Sequence, residues 1–205
     1  MQKKHKLTPK IRLMSNTRKM LIEVARQLFA KNGKKEVTMN DIAEASKKGR
    51  RTLYTYFNNK EEIYKAVIDK ELDTILERLL VVSKQDAEPD IKLTNHILTH
   101  LDAVKDVVNR NGSLRADFFH DIYEVERKRR KIDVKEIALI RAIIAEGVEK
   151  NIFKRMDLNL SSIIIFYAIK GLEVPYIRQN ISSEFEKSKN SIVEFVFQGI
   201  KKKHY

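Results

Sequence analysis

Only six glycines and three prolines interrupt this chain of 205 residues, and that scarcity limits its fold more than any other feature. Domains built from many short strands need frequent tight turns, and glycine and proline supply most of the backbone conformations those turns require. A chain so poor in both is expected to be all-α. Apolar residues recur at helical spacing through Leu21, Ala25, Leu28 and Phe29, and again through Ile63, Val67, Ile68, Leu72, Ile75, Leu76 and Leu79. The first run predicts a helix from about Asn16 to Lys31, ended by Asn32-Gly33. The second predicts a long helix from Lys60 to about Val82, with Glu61 and Glu62 suiting its N-terminal dipole. Between them, Thr38 followed by Asp41 reads as a capping-box start to a short helix ending near Ser46. A turn over Lys47 to Gly49 then leads to a second short helix, Arg50 to Tyr56. Five further periodic segments, near 91–110, 113–130, 133–151, 158–180 and 184–203, bring the expectation to about nine helices. Breaks are expected at Asn111-Gly112, Ile132-Asp133 and Met156-Asp157, with Ser182-Ser183 capping the last helix. Pro175 is expected to kink or end the helix that contains it.

The formal net charge is +13, and it is unevenly placed. Residues 1–70 hold 18 Lys/Arg against 7 Asp/Glu, while the remainder holds 23 against 21. The first third should therefore face a polyanion, either nucleic acid or an anionic membrane surface. Membrane binding would need an apolar face beside the basic one, and the basic helix offers hydroxyls and arginines there instead. Cysteine is absent, which excludes disulfides, thiolate metal sites and a cysteine nucleophile. The longest apolar run, Ile163 to Ile169, is too short to span a bilayer, and no apolar signal segment follows the basic start, so a cytoplasmic location is expected.

Two short helices joined by a tight turn, the second one basic, form a helix-turn-helix. Over Thr38–Phe57, Ile42, Ala43, Leu53 and Phe57 supply the apolar side. Arg50, Arg51, Thr52, Tyr54 and Tyr56 are left to face outwards as groups able to bond phosphates and base edges. This divides the chain into a basic flexible arm (1–14), a DNA-binding domain (15–70, its long helix continuing to about 82) and a second helical domain (83–205). Ser83 to Asp90, with Pro89, is the linker between the two domains. The run Glu126 to Lys131 is expected to be a solvated helix end.

The residues Ile42-Ala43-Glu44-Ala45, Thr52-Leu53-Tyr54-Thr55-Tyr56-Phe57 and Asn59-Lys60-Glu61-Glu62, preceded by Ala25, Leu28-Phe29, Gly33 and Thr38, resemble the N-terminal domain of tetracycline-repressor-like (TetR-family) regulators. The resemblance covers about residues 17–67. It implies a homodimer of nine or ten helices per protomer, with a recognition helix in each major groove and a divergent second domain that binds a small molecule. It further implies that Thr38, Tyr54, Tyr56 and Lys60 contact the DNA backbone and that Thr52 and the residues just before it read bases. Where the family commonly has Gly-Val-Ser-Lys-Gly across the turn, this chain has Lys47-Lys48-Gly49-Arg50-Arg51. Lys48 can cover apolar surface with its stem while its ammonium reaches solvent or phosphate.

After the linker there is no G-x-S-x-G, no phosphate-cradling loop and no H-E-x-x-H, so no enzyme activity is expected. His96 and His100 lie four apart on one helical face and could bind a metal, but a packed role is the default; no metal and no cofactor are expected. Phe118, Phe119, Tyr123, Phe166, Tyr167 and Tyr176 are candidate walls of a small-molecule site. Ile163, Phe166, Lys170 and Gly171, with Ile192, Phe195, Val196 and Gly199 on the final helix, are candidate dimer-interface residues. The expected function is a repressor that binds a palindromic operator in double-stranded DNA and is released by a small-molecule effector. The alternative is a nucleoid-associated, DNA-architectural protein with no effector, which would show no preference among duplexes.

Overall fold

A computed structural model of the chain describes residues 9–112, 123–177 and 182–201. Among these there are eight helices and no sheet: α1 (Pro9–Asn32), α2 (Met39–Ala45), α3 (Arg50–Tyr56), α4 (Lys60–Ser83), α5 (Pro89–Arg110), α6 (Tyr123–Glu149), α7 (Leu158–Ile177) and α8 (Ser182–Ile200). The all-α expectation holds. α3 begins and ends where the pattern placed it, and α4 runs one residue beyond.

Two boundaries differ. α1 begins at Pro9, inside the stretch expected to be a flexible arm. Proline is suited to the first turn of a helix, because its ring fixes a helical φ and its missing N–H needs no partner there. The break expected at Ile132-Asp133 does not occur, and α6 runs unbroken to Glu149. Ile132 is buried, and Asp133 accepts a hydrogen bond from the Lys170 ammonium. Neither residue removes a backbone bond as proline would, so packing and pairing carry the helix through. The run Glu126 to Lys131 therefore lies inside α6 and is not a helix end. α7 passes through Pro175 and ends two residues later.

The chain forms two compact units. The first contains the described residues up to Lys70 together with those between 110 and 125. Its α1 packs on α2, and α2 on α3. Leu21, Ala25 and Phe29 from α1, Ile42 from α2, Leu53 and Phe57 around α3, and Ile63 and Val67 from α4 are all buried. The Phe29 and Tyr64 rings meet edge-on with centroids 5.9 Å apart. This unit also holds the end of α5. Arg26, held by Glu23, donates from Nη1 to the Arg110 carbonyl at 2.8 Å, which gives a partner to a carbonyl that the helix terminus leaves free. Gly112, at φ +42, lies so near α1 that a Cβ there would be 2.6 Å from the Ala30 carbonyl oxygen.

The second unit runs from Glu71 to Asn109 and resumes at Glu126. Its core joins Leu93, Ile97 and Leu101 of α5, Ile140, Ile143 and Ile144 of α6, Ile165, Phe166 and Ile169 of α7, and Val193 and Ile200 of α8. Phe153, in the turn between α6 and α7, completes it. That ring fills the space beside Gly147, where a Cβ would stand 2.1 Å from it. An isolated antiparallel bridge between Phe153 and Lys201 fastens the end of α8 to this turn. No described helix is long and apolar enough to cross a membrane.

Candidate nucleic-acid interface

Helix α2 starts at the capping box that the sequence implies. The Thr38 hydroxyl accepts from the Asp41 N–H at 3.3 Å, while the Asp41 carboxylate accepts from the Thr38 backbone N–H at 2.8 Å. Thr38 Oγ1 also donates to that carboxylate. The backbone and side-chain bonds from Thr38 hold the Asp41 carboxyl below its ordinary range. The helix closes at Ser46 with two bonds that stitch the turn, Lys47 N–H to the Glu44 carbonyl at 2.9 Å and Lys48 N–H to the Ala43 carbonyl at 3.1 Å. This pairing is the Schellman arrangement, and it places Lys47 in the left-handed region at φ 53. Gly49 then takes the cap position of α3 with no side chain to contribute.

Along α3 one side is buried and the other free. Leu53 and Phe57 are fully buried against the unit's interior. Arg50, Arg51, Tyr54 and Thr55 are exposed, Thr52 and Tyr56 half-buried, and Lys47 and Lys48 of the preceding turn exposed. The Arg18 guanidinium stacks 5.0 Å from the Phe57 ring centroid at the far end of the helix. No acidic residue occurs between Glu44 and Glu61, whereas Lys47, Lys48, Arg50, Arg51 and Lys60 all do. The result is a short helix bearing fork-shaped cations and hydroxyls, held rigidly from behind, with a local field that attracts anions.

Lys60 is placed differently from the others. Its ammonium donates to the carbonyls of Lys34 and Lys35 at 2.9 and 3.0 Å, fastening the loop between α1 and α2. These bonds use two of the three N–H groups of the ammonium. No local pattern points to this clamp, because its partners are backbone atoms 25 and 26 residues away.

In the second unit the candidate ligand-wall residues are dispersed. Phe118 and Phe119 lie outside the described residues, as do the side chains of Tyr123 and Tyr176 at the ends of α6 and α7. Phe166 is wholly buried in the core, which also withdraws it from the interface stripe. Tyr167 is 61% exposed. It joins Leu160, Ile163 and Ile164 as an outward apolar face on α7, and Phe195 is the corresponding exposed ring on α8. Ile192 and Val196 are half-buried against the protomer's own core. Gly171 and Gly199 are exposed with open space at the Cβ position. Lys170 is half-buried and paired with Asp133.

A buried ionic seam joins α5, α6 and α7, and sequence reasoning saw only its two histidines. His100 Nδ1 lies 2.6 Å from Glu136 Oε1, and its Nε2 lies 3.0 Å from Glu173 Oε1. His96 Nε2 meets the same Glu136 oxygen at 3.2 Å, and Arg129 donates to the other oxygen of Glu173. Burial alone would lower the His100 pKa, but the two carboxylates outweigh it and raise it to about 10. Burial likewise opposes ionisation of Glu136, and His100 outweighs it, bringing that carboxyl to about 2. Among the described residues, no group of three or more His, Asp or Glu side chains is arranged to hold a metal ion.

Residues 21–67 match the family described as "Bacterial regulatory proteins, tetR family". Over 184 residues the chain is 23% identical to the fatty acid metabolism regulator protein of Bacillus subtilis (strain 168), covering 89% of this chain and 95% of that one. A transcriptional regulator from Cytophaga hutchinsonii has a similar fold, with a TM-score of 0.76 at 20% identity over 90% of this chain and 98% of that one. So does the regulator FadR from Bacillus subtilis in complex with stearoyl-CoA, with a TM-score of 0.63 at 22% identity over 87% and 96% of the two chains.

Proposed function

We propose that this chain is a DNA-binding transcriptional regulator of the TetR family, working in the cytoplasm as a dimeric repressor released from its operator by a small molecule; the family match over residues 21–67 and the full-length likeness to a curated regulator support this. One observation carries the reading: α3 buries Leu53 and Phe57 while presenting Arg50, Arg51 and Tyr54 to solvent. Arg50 and Arg51, with Thr52 beside them, read base edges in the major groove. Tyr54, Tyr56, Lys48, the free N–H of Lys60 and the capped start of α2 at Thr38 hold the phosphates. The outward faces of α7 (Leu160, Ile163, Ile164, Tyr167) and α8 (Phe195) pair about a two-fold axis, so two recognition helices meet one palindrome.

The effector acts on the second unit. Since the relative in complex with stearoyl-CoA is a regulator of similar fold, long-chain acyl-CoA is the first ligand to test. Helix α4 contributes to both units and is the natural lever between them. A ligand can release DNA only by binding one conformation better than the other, so DNA and ligand must each weaken the other equally.

Selection of bound sequences from random duplexes at near-physiological salt tests the reading. Enrichment of one palindrome, lost in Arg51→Ala with dimer and helicity intact, is the expected result. Binding without enrichment would point instead to an architectural protein indifferent to sequence, and a failure to bind any duplex would end both readings.

A further inference from the structure

Four described residues adopt left-handed backbone conformations. Three of them follow the steric rule: Gly33 and Gly112 have no Cβ, and Asn151 belongs to the residue types that tolerate this region. The fourth is Lys47, at φ 53, in the turn that joins α2 to α3. It occupies the position after the helix cap where glycine is the least costly occupant, since any Cβ crowds the neighbouring carbonyl. Both stitching bonds of this turn are made by backbone N–H groups, so they do not call for a lysine.

Nor does the Lys47 side chain repay the strain by packing. It is exposed, and no ion pair of its ammonium occurs among the described residues. What it adds is a mobile positive charge at the tip of the turn, two residues before the exposed Gly49-Arg50-Arg51 start of α3, in a stretch with no acidic residue from Ala45 to Lys60. Local rules of chain conformation tend to be broken where function requires it.

We propose that Lys47 is an additional DNA-backbone contact, whose ammonium neutralises a phosphate at the edge of the groove entered by α3, and that the left-handed strain is retained for that charge. The proposal rests on the DNA-binding reading above and extends it to a turn residue whose backbone geometry favours glycine. Strain and contact have opposite signs in two measurements, which makes the proposal testable without knowing the effector.

The experiment compares wild type, Lys47→Gly, Lys47→Asn, Lys47→Arg and the second-unit control Lys84→Asn in the full chain. Each is titrated with the selected duplex across a salt series and melted without DNA. Lys47→Gly is expected to melt about 1–3 °C higher as the strain is relieved. It and Lys47→Asn are expected to bind about fivefold more weakly per protomer near 0.15 M salt, with a salt slope shallower by about 0.9 per protomer. Lys47→Arg, which keeps the charge, and Lys84→Asn should keep the wild-type affinity and slope. Unchanged affinity and slope in Lys47→Gly and Lys47→Asn, a weakened Lys47→Arg, or no rise in melting temperature for Lys47→Gly would each overturn the proposal. If wild type bound the duplex while the variants matched it, only the Lys47 contact would fall. If wild type bound no duplex, the regulator reading would fall with it.

Discussion

Nδ1 of His100 on α5 lies 2.6 Å from Oε1 of Glu136 on α6, with both side chains buried, so an imidazolium and a carboxylate face each other away from water. The pH dependence of stability follows from their displaced pKa values. His100, raised from 6.5 to about 10, contributes fully below 6.5 and loses that contribution as pH rises through 10. Glu136, lowered from 4.5 to about 2, contributes fully above 4.5 and loses it as pH falls through 2. The advantage of wild type over His100→Gln in urea unfolding should therefore be greatest between 4.5 and 6.5. It should shrink towards pH 10 by up to about 1.4 kcal/mol per pH unit for one proton. A constant difference from pH 6 to 9 would contradict the assignment of a charged His100.

Glu173 accepts from both His100 and Arg129. Glu173→Leu keeps comparable bulk but leaves those two donors without that carboxylate. Removing one side of a buried ionic pair costs about 3–5 kcal/mol, more than deleting a well-packed neutral group of the same size usually costs. Chemical denaturation of this variant should show a loss of that order, and a loss below about 1 kcal/mol would mean that the seam is hydrated and weakly coupled.

The turn between α6 and α7 offers a test of packing alone. Gly147→Ala places a methyl 2.1 Å from the Phe153 ring, which is fully buried and has little room to retreat. Overpacking of this kind costs about 1–3 kcal/mol. The melting temperature should drop by several degrees, and pairing the change with Phe153→Leu should recover part of the loss. Additive losses in the pair would show that the two sites do not share the space.

Exposed Tyr167 and Phe195 are the rings on which the proposed dimer face depends. Changing both to glutamate introduces four like charges at a two-fold contact without touching the core of the protomer. Sedimentation should show monomers with unchanged helicity, and binding to a palindrome should fall by at least about a hundredfold as the second half-site contact is lost. A dimer that survives both changes would move the interface elsewhere.

The parts of this molecule that were legible in the sequence are those set by neighbours a few residues apart. Thr38 and Asp41 lie three apart, so their capping box could be read directly. The ends of α3 were visible in the change from Gly49 to Arg50 and from Tyr56 to Phe57. Helix termini whose signals were weak were less legible: Ile132-Asp133 looks like a break only until the burial of one and the pairing of the other are known. The ionic seam was the least legible, because His100 meets carboxylates 36 and 73 residues away. Spacing showed that His96 and His100 share a face, but nothing in it pointed to Glu136 or Glu173. Aromatic content did not separate Phe166 from Tyr167: they are adjacent and chemically alike, yet one fills the core and the other faces outwards.

The end of α5 bears on how such a protein can be taken apart. Arg26 and Ala30 belong to the first helix, yet the Arg110 carbonyl and the Gly112 backbone that meet them come from more than eighty residues further on. The first unit is thus built from two separate stretches of the chain and is not a detachable cassette. A chimaera joining residues 1–70 to a foreign sensing domain would deprive α1 of its Arg110 and Gly112 contacts unless the graft also carried that segment. A fusion point chosen to preserve that segment should give a hybrid that folds, whereas one chosen at the linker before Pro89 should give a hybrid with a loosened first helix.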